Sequence, residues 1–242
     1  MLSIVKSMSL LGLDGFLVEV QVDVSAGIPC WDVVGLPDIS VRESKERVRT
    51  AIKNSGYDVR SRKIVINLAP ADIKKEGSFF DLPIAIGILM CNGEIDLSQD
   101  EENTIFIGEL SLDGKLNKVS GILPMCIEAK RLGIKKIILP EANANEAGVV
   151  SGLTIIGVKD LQDVVAFLNK QKNIVPVSIA KEELFENSNS YPFDFSEVKG
   201  QENIKRALEI SAAGGHNCLL IRNTAVREKL CLQEEFQAYF QI

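Results

Sequence analysis

The sequence contains one histidine, His216, and five cysteines, none of which stands in a C-x-x-C pair. The cysteines are Cys30, Cys91, Cys126, Cys218 and Cys231. An odd number of isolated cysteines beside a single histidine argues against a zinc site and against the disulfide framework of a small secreted protein. We therefore expect buried or incidental thiols in a reducing, cytoplasmic environment, and no metal site.

Aromatic residues are also scarce, at 6%, so aliphatic side chains must build the core. The apolar stretch within residues 1–13 is too short to span a membrane and lacks the cleavage pattern of a signal peptide. The net charge of −6 argues against a protein that coats nucleic acid with its whole surface, although it leaves room for a local basic face. The chain is predicted to be cytoplasmic, without a membrane partner.

Hydrophobic periodicity predicts strands first and alternating strands and helices afterwards. The predicted strands are 16–24, 31–34, 63–68, 105–110, 116–119, 136–139 and 154–157, and the predicted helices are 41–54, 80–91, 122–132, 143–149 and 161–169. The strands at 105–110 and 116–119 are expected to pair around Asp113 and Gly114, a dipeptide favoured in tight hairpins. Together these elements indicate an α+β domain with a mixed sheet.

A polar stretch without periodicity, residues 170–191, separates this domain from a second unit. The second unit begins near Phe193 and is predicted to contain a helix at 201–213 and an apolar strand at 218–221. The predicted organisation is a domain at 1–172, a linker at 173–192 and a second unit at 193–242.

Two stretches resemble the C-terminal proteolytic domain of Lon proteases. Residues 119–124, 129–133 and 137–143 together are similar to a Lon run that passes through a helix and a strand to a proline and an asparagine. Residues 75–83 resemble the Lon segment that carries the nucleophilic serine. The resemblance implies a Lon-protease-C-terminal-like fold, which is also described as ribosomal-protein domain-2-like.

A closer resemblance covers about residues 1–221. The runs that carry it are 35–38, 41–44, 67–72 and 75–83 in the first domain, and 195–200 and 207–216 in the second unit. They are similar to ComM/YifB-type magnesium-chelatase-like AAA+ ATPases. The resemblance implies a Lon-like domain ahead of an AAA+ module that assembles into a ring of identical copies, uses ATP and Mg²⁺, and drives DNA branch migration in competence and recombination.

The Lon resemblance does not extend to the catalytic residues. Lon chemistry needs a serine that is activated by a lysine. Phe79 stands where the serine belongs, and Leu123 and Met125 stand where two lysines belong. Ser78 is one residue away, but adjacent side chains point in different directions. A non-catalytic domain is therefore predicted, with no catalytic residues assigned; a residual Ser/Lys peptidase and an ATP-independent interaction module are the alternatives.

The ATP-binding loop expected after Ile221 is missing from the sequence as written. A P-loop has the pattern G-x-x-x-x-G-K-[ST], because glycines let backbone N–H groups surround the phosphates. Residues 222–229 contain no glycine. The chain itself is therefore predicted not to bind or hydrolyse ATP, and no cofactor-binding residue is assigned to it.

The codons of residues 222–242 can explain why the P-loop is missing. With one permitted choice of codons, two single-base frame changes after Ile221 yield Gly-Ile-Pro-Gly-Ser-Gly-Lys-Thr, which is a P-loop at the expected place. We therefore predict that residues 222–242 are out of frame and that the second unit is a truncated start of the AAA+ module. The alternative is a natural tail whose codons match by chance.

A basic stripe lies in the segment 41–63, which holds eight Lys/Arg and three Asp/Glu. On the predicted helix, four of the basic residues fall three or four positions apart and therefore on one face: Arg42, Lys45, Arg49 and Lys53. Such a face suits DNA phosphates. The alternatives are a solvated face that is partly paired with Glu43 and Glu46, or a contact to the neighbouring ATPase module. No aromatic residues interleave with the charges, so base stacking is not expected.

Overall fold

The computed structural model describes residues 1–58, 62–95, 103–177, 198 and 200–219. The chain divides into two compact units, Met1–Ala180 and Lys181–Ile242. Most of the linker predicted at 173–192 and the whole tail at 222–242 lie outside the described residues. The domain boundaries therefore remain predictions.

The described residues of the first unit form nine strands and five α-helices. The strands are β1 (Leu2–Leu11), β2 (Asp14–Ser25), β3 (Cys30–Val34), β4 (Lys63–Ala69), β5 (Thr104–Phe106), β6 (Glu109–Leu110), β7 (Leu116–Asn117), β8 (Lys136–Pro140) and β9 (Thr154–Val158). The helices are α1 (Ile39–Asn54), α2 (Asp81–Asn92), α3 (Ile122–Arg131), α4 (Ala144–Gly148) and α5 (Leu161–Leu168).

Seven of these strands form one sheet in the order β3-β4-β2-β1-β5-β8-β9, while β6 and β7 form a separate two-stranded hairpin. In the large sheet β2 runs antiparallel to both β1 and β4. The pairs β3–β4, β1–β5, β5–β8 and β8–β9 are parallel. The prediction of an α+β fold with a mixed sheet is confirmed.

Helices cover both faces of the sheet, because its strands carry apolar side chains on both sides. One cluster of buried residues joins Val18, Val20 and Val22 of β2 to apolar residues of α1, α2 and α5. A second cluster joins Met8 of β1 and Ile137 of β8 to residues of α3 and α4. Helix α2 is apolar around almost its whole circumference, and its described side chains are nearly all buried, as expected for a central helix.

Helix α1 ends at Asn54, as predicted, but begins at Ile39, two residues before the predicted start. The Asp38 carboxylate caps the first turn by accepting a hydrogen bond of 2.8 Å from the Val41 N–H. Val41, Val48 and Ile52 lie on the buried face. The loop before the cap needs a glycine, because Gly35 has a φ of +96° and a Cβ there would lie 2.2 Å from the Leu68 carbonyl oxygen.

Two local features differ from the sequence-based prediction. The predicted 105–110 strand is split, because Thr104–Phe106 joins the large sheet and only Glu109–Leu110 pairs with Leu116–Asn117. Strand β1 was not predicted, because its core-facing positions include the buried serines Ser3, Ser7 and Ser9, which weaken the hydrophobic alternation.

In the second unit the described residues form one helix, α6 (Glu202–Gly214). It matches the helix predicted at 201–213, and Gly215 ends it in the left-handed conformation with a φ of +62°. Cys218 and Leu219 of the strand predicted at 218–221 have no regular structure, and the rest of that strand lies outside the described residues.

Candidate functional site

Two of the runs that carry the family resemblance, 35–38 and 75–83, lie side by side. The Lys75 N–H donates to the Leu36 carbonyl at 3.1 Å, and the Asp38 N–H donates to the Lys75 carbonyl at 3.0 Å. The Lys75 side chain is fully buried, and its ammonium donates to the Ile73 carbonyl at 2.7 Å. Burial lowers the pKa of Lys75. This short ladder ties the entry of α1 to the segment before α2.

A buried ion pair connects α1 to the start of α2. The guanidinium of Arg47 donates to both carboxylate oxygens of Asp81, from Nε at 2.8 Å and from Nη2 at 3.1 Å. The Leu110 N–H of the hairpin adds a third hydrogen bond to Asp81 at 3.2 Å. The Arg47 Nη2 also donates to the Ser40 carbonyl at 3.1 Å. One carboxylate thus fixes α1, α2 and the β6–β7 hairpin relative to one another.

Burial dominates the electrostatics of this pair. The Asp81 side chain is 0% exposed, whereas the Arg47 side chain is 24% exposed. Burial raises the pKa of Asp81 to about 6, although the hydrogen bonds and charge of Arg47 act in the opposite direction. The hydrogen bond to Asp81 raises the pKa of Arg47. Asp81 is the one charged residue in an otherwise apolar helix, so the arginine is its essential partner.

A second polar chain runs beside this pair. Ser78 donates its hydroxyl to Glu109, and Glu109 also accepts a hydrogen bond of 3.0 Å from the Asn117 amide. Burial acts to raise the pKa of Glu109, but the hydrogen bonds from Ser78 and Asn117 outweigh it and bring that pKa below its ordinary value. A carboxylate with a lowered pKa is a weak base, so Glu109 is poorly suited to activate the Ser78 hydroxyl.

The positions that correspond to the Lon serine and lysines lie in apolar surroundings. Phe79 is half-buried and packs against both core clusters, with its ring 4.8 Å from that of Phe80. Met125 is fully buried in the second cluster, and Leu123 is half-buried. Of the two lysines near Ser78, Lys74 is exposed and pairs with Glu76 at 2.6 Å.

Asn143 holds the two parts of the Lon-like run together. Its amide accepts from the Val119 N–H at 2.9 Å and donates to the Val119 carbonyl at 2.8 Å. The side chain is fully buried and also donates to Glu146 at 3.3 Å. Both backbone groups of Val119 are thereby satisfied in the interior. In this fold Asn143 is therefore a structural residue that joins α4 to the start of α3.

The basic stripe predicted on the first helix lies on α1. Arg42, Arg49 and Lys53 are exposed and Lys45 is half-buried. Arg47 points elsewhere, because it is held by Asp81, and Arg60 of the surrounding segment lies outside the described residues. No salt bridge involves the four stripe residues within the described part of the chain, including none to Glu43 or Glu46.

A shallow groove of about 530 Å³ lies between the hairpin and the carboxyl ends of β8 and β9. Its charged residues pair with one another, Lys115 with Asp113 at 2.8 Å and Lys159 with Glu141 at 3.8 Å. The groove therefore carries balanced charges that favour no particular class of ligand.

The remaining reactive groups of the described residues do not converge on a site. No cluster of three His, Cys, Asp or Glu residues suited to a metal ion occurs among them. Burial raises the pKa of the Cys126 thiol to about 12, which makes it unreactive. Within the same residues, no helix is both long and apolar enough to cross a membrane.

Two protein families match the chain. The family described as subunit ChlI of Mg-chelatase matches residues 20–143, and the family described as magnesium chelatase, subunit ChlI, matches residues 194–229. The first match includes α1, α2 and the ion pair of Arg47 and Asp81. It also includes the pair of hydrogen bonds between the Asn143 side chain and the Val119 backbone, here called the Asn143 clamp.

Several curated proteins are similar over most of the chain. The competence protein ComM of Haemophilus influenzae is 40% identical over 221 residues, which are 91% of this chain and 43% of that protein. The uncharacterized protein YifB of Escherichia coli is 42% identical over 223 residues, which are 91% of this chain and 42% of that protein. The Lon protease 2 of Bacillus subtilis is 30% identical over 168 residues, which are 62% of this chain and 30% of that protein.

The chain thus spans less than half the length of the ComM and YifB relatives that it matches. The matched residues nevertheless include the whole set of paired segments described above, from the Gly35 loop to the Asn143 clamp. The chain belongs to the ComM/YifB-type family of magnesium-chelatase-like proteins.

Proposed function

We propose that this chain is the N-terminal part of a ring-forming, DNA-remodelling AAA+ ATPase, and that its first unit is a Lon-like domain without peptidase activity. The second half of this proposal rests on the apolar residues at the positions that correspond to the Lon serine and lysines. Met125 belongs to the hydrophobic core and Phe79 packs against both clusters, so neither a serine nor a lysine stands there. The domain then acts as a rigid body that shapes or regulates the ring.

The similarity to a competence protein supports a role on DNA. The relative from Haemophilus influenzae carries that name and is 40% identical over 221 residues. For the parent protein of this chain we propose ATP-driven branch migration in the cytoplasm, with a ring of identical subunits around or beside the DNA. The exposed cations of α1 are compatible with such a substrate.

The chain as written is proposed not to use ATP. Residues 222–229 include Thr224 and Lys229 but none of the glycines that a P-loop uses to let backbone N–H groups surround the phosphates. The residues present at this position therefore do not fit a nucleotide, and no catalytic step is assigned to ATP or Mg²⁺ in this chain.

A peptidase assay separates the proposed role from the alternative of a residual Ser/Lys peptidase. The intact chain is incubated with a fluorogenic unfolded protein substrate such as labelled casein, beside a Ser78→Ala variant and a buffer blank. We expect both proteins to cleave at the rate of the blank, because Ser78 is engaged with Glu109 and no lysine stands at the Lon positions. Turnover by the intact chain that Ser78→Ala abolishes would contradict the proposal.

A further inference from the structure

Helix α1 presents a straight row of positive charge. The row consists of the four residues of the basic stripe, Arg42, Lys45, Arg49 and Lys53. At a rise of 1.5 Å per residue, its first and last members are about 16 Å apart along the helix axis. One strand of a DNA duplex carries a phosphate every ~3.4 Å along its axis, so the row is long enough to meet several consecutive phosphates.

These four cations are available, whereas many other cations of the first unit are engaged. Arg47 is bound to Asp81, Lys172 lies 2.6 Å from Asp163, and Arg131 lies 3.0 Å from Glu128. Within the described residues no carboxylate lies within salt-bridge distance of the row, although Glu46 is exposed on the same side of the helix. A row of like charges without internal partners is costly unless an anion binds there or solvent screens it.

The helix that carries the row is fixed at several points. Asp38 caps its first turn, and the bidentate pair of Arg47 and Asp81 holds its middle. At its end, Asn54 donates to the Leu112 carbonyl at 2.7 Å and Gln162 donates to the Ser55 carbonyl at 2.9 Å. Because the backbone is held in place, binding a ligand along the row requires no ordering of the helix itself, and the entropy lost by the protein is that of the long side chains.

We infer that the α1 row binds the phosphate backbone of a nucleic-acid strand without reading its sequence, an inference that rests on the proposed role on DNA. Because the row is positively charged and about as long as several phosphate spacings, the ligand that complements it is a polyanion with regularly spaced charges. Helix α1 contains no aromatic residue for base stacking, so the contact is to phosphates and not to bases. The chain is acidic overall, with a net charge of −6, so the row is a local region of positive charge and not part of a uniformly basic surface.

Fluorescence anisotropy of the intact chain with labelled single-stranded and duplex oligonucleotides tests this inference. A row variant replaces Arg42, Lys45, Arg49 and Lys53 with glutamine. A control variant makes the same change in charge elsewhere, replacing the exposed residues Lys118, Lys130, Arg131 and Lys135 with glutamine. Equal melting temperatures of the three proteins establish that the variants are folded.

The inference predicts binding at low salt that weakens steeply as salt rises. For four phosphate contacts the slope of log K against log salt is about −3 for single strands and about −3.5 for duplex. The row variant should bind at least about tenfold more weakly and show a slope near zero, while the control variant stays within about threefold of the intact chain. The lower Kd at the same salt concentration identifies which form of nucleic acid the row prefers.

Equal binding by the row variant and the intact chain would overturn the inference and leave the proposed DNA role in place, with the contact elsewhere. Absence of any binding at low salt would also overturn it, and the role of the first unit would then be judged by the peptidase assay alone. Capture of an acidic polypeptide such as poly-glutamate by the row, without binding of either oligonucleotide, would assign the row to a protein partner instead.

Discussion

Replacing Arg47 with methionine should lower the free energy of unfolding by about 3 kcal/mol or more at pH 8, as measured by urea denaturation. The substitution keeps an unbranched apolar stem but removes both hydrogen bonds to the Asp81 carboxylate. Asp81 is 0% exposed, so it cannot recover those hydrogen bonds from water. A charge left alone in the interior is one of the few single changes with an effect of this size.

The cost of Arg47→Met should shrink as the pH falls. Burial already raises the pKa of Asp81 to about 6 in the native chain, so the native state binds this proton more tightly than the unfolded state does. The stabilisation that comes from protonating Asp81 is fully present below its ordinary pKa of about 4 and is lost as pH rises through about 6. Removing Arg47 raises that pKa further, so the variant should be least impaired near pH 5.

Asp81→Asn is the matched control for Arg47→Met. It leaves an arginine whose side chain is 24% exposed and can reach water, and the asparagine can still accept the Leu110 N–H. We expect a smaller loss than for Arg47→Met at pH 8. Because Asp81→Asn lacks the carboxyl whose protonation stabilises the intact chain, its loss relative to that chain should grow as the pH falls from 8 to 5, opposite to the trend for Arg47→Met. A loss for Arg47→Met that is independent of pH, or smaller than that for Asp81→Asn, would contradict this description of the pair.

Replacing Asn143 with aspartate should destabilise the fold by about 2–4 kcal/mol at pH 7.5. An ionised aspartate can still accept from the Val119 N–H, but its other oxygen would face the Val119 carbonyl and Glu146 without a proton to donate. Protonation restores a donor, so the loss should diminish below about pH 5. The measurement is the urea midpoint at both pH values.

Asn145→Asp provides the control, because it makes the same chemical change two residues away at an exposed position of α4. It should alter the free energy of unfolding by less than about 0.5 kcal/mol. An Asn143→Asp variant that behaves like Asn145→Asp would show that the clamp on Val119 contributes little to stability.

Local signals in the sequence predict the helices and most of the longer strands, with β1 as the exception. Helix α1 is specified by the Asp38 cap and by apolar residues such as Val41 and Val48 that recur on one face. Helix α2 is specified by its uninterrupted apolar run and by Gly93, which ends it with a φ of +81°. Strand β1 escaped prediction because the buried serines at 3, 7 and 9 do not look like core residues.

The contacts that organise the site join segments far apart in sequence, and this is why the sequence did not reveal them. Arg47 and Asp81 are 34 positions apart, and Asn143 and Val119 are 24 apart. A lone charge at the head of an apolar helix does signal that a partner is needed. It does not identify which of the basic residues between 41 and 63 is that partner, and the fold selects Arg47.

For the stripe on α1, too, the sequence predicts the local arrangement but not the contacts. Its spacing predicts one face of a helix, and the structure places Arg42, Arg49 and Lys53 on an exposed surface. Pairing with Glu43 and Glu46, which the sequence left open, does not occur among the described residues. Whether the stripe contacts DNA depends on a partner, and it remains the proposal that the oligonucleotide titrations test.

Calorimetric titration of the intact chain with Mg-ATP and, separately, with Mg-ADP tests the proposed loss of nucleotide binding. We expect heats of dilution only, because the segment that should hold the phosphates contains no glycine. Saturable binding of one nucleotide per chain with a Kd below about 100 µM would contradict it. Such a result would mean that this chain retains a nucleotide site despite the missing P-loop glycines.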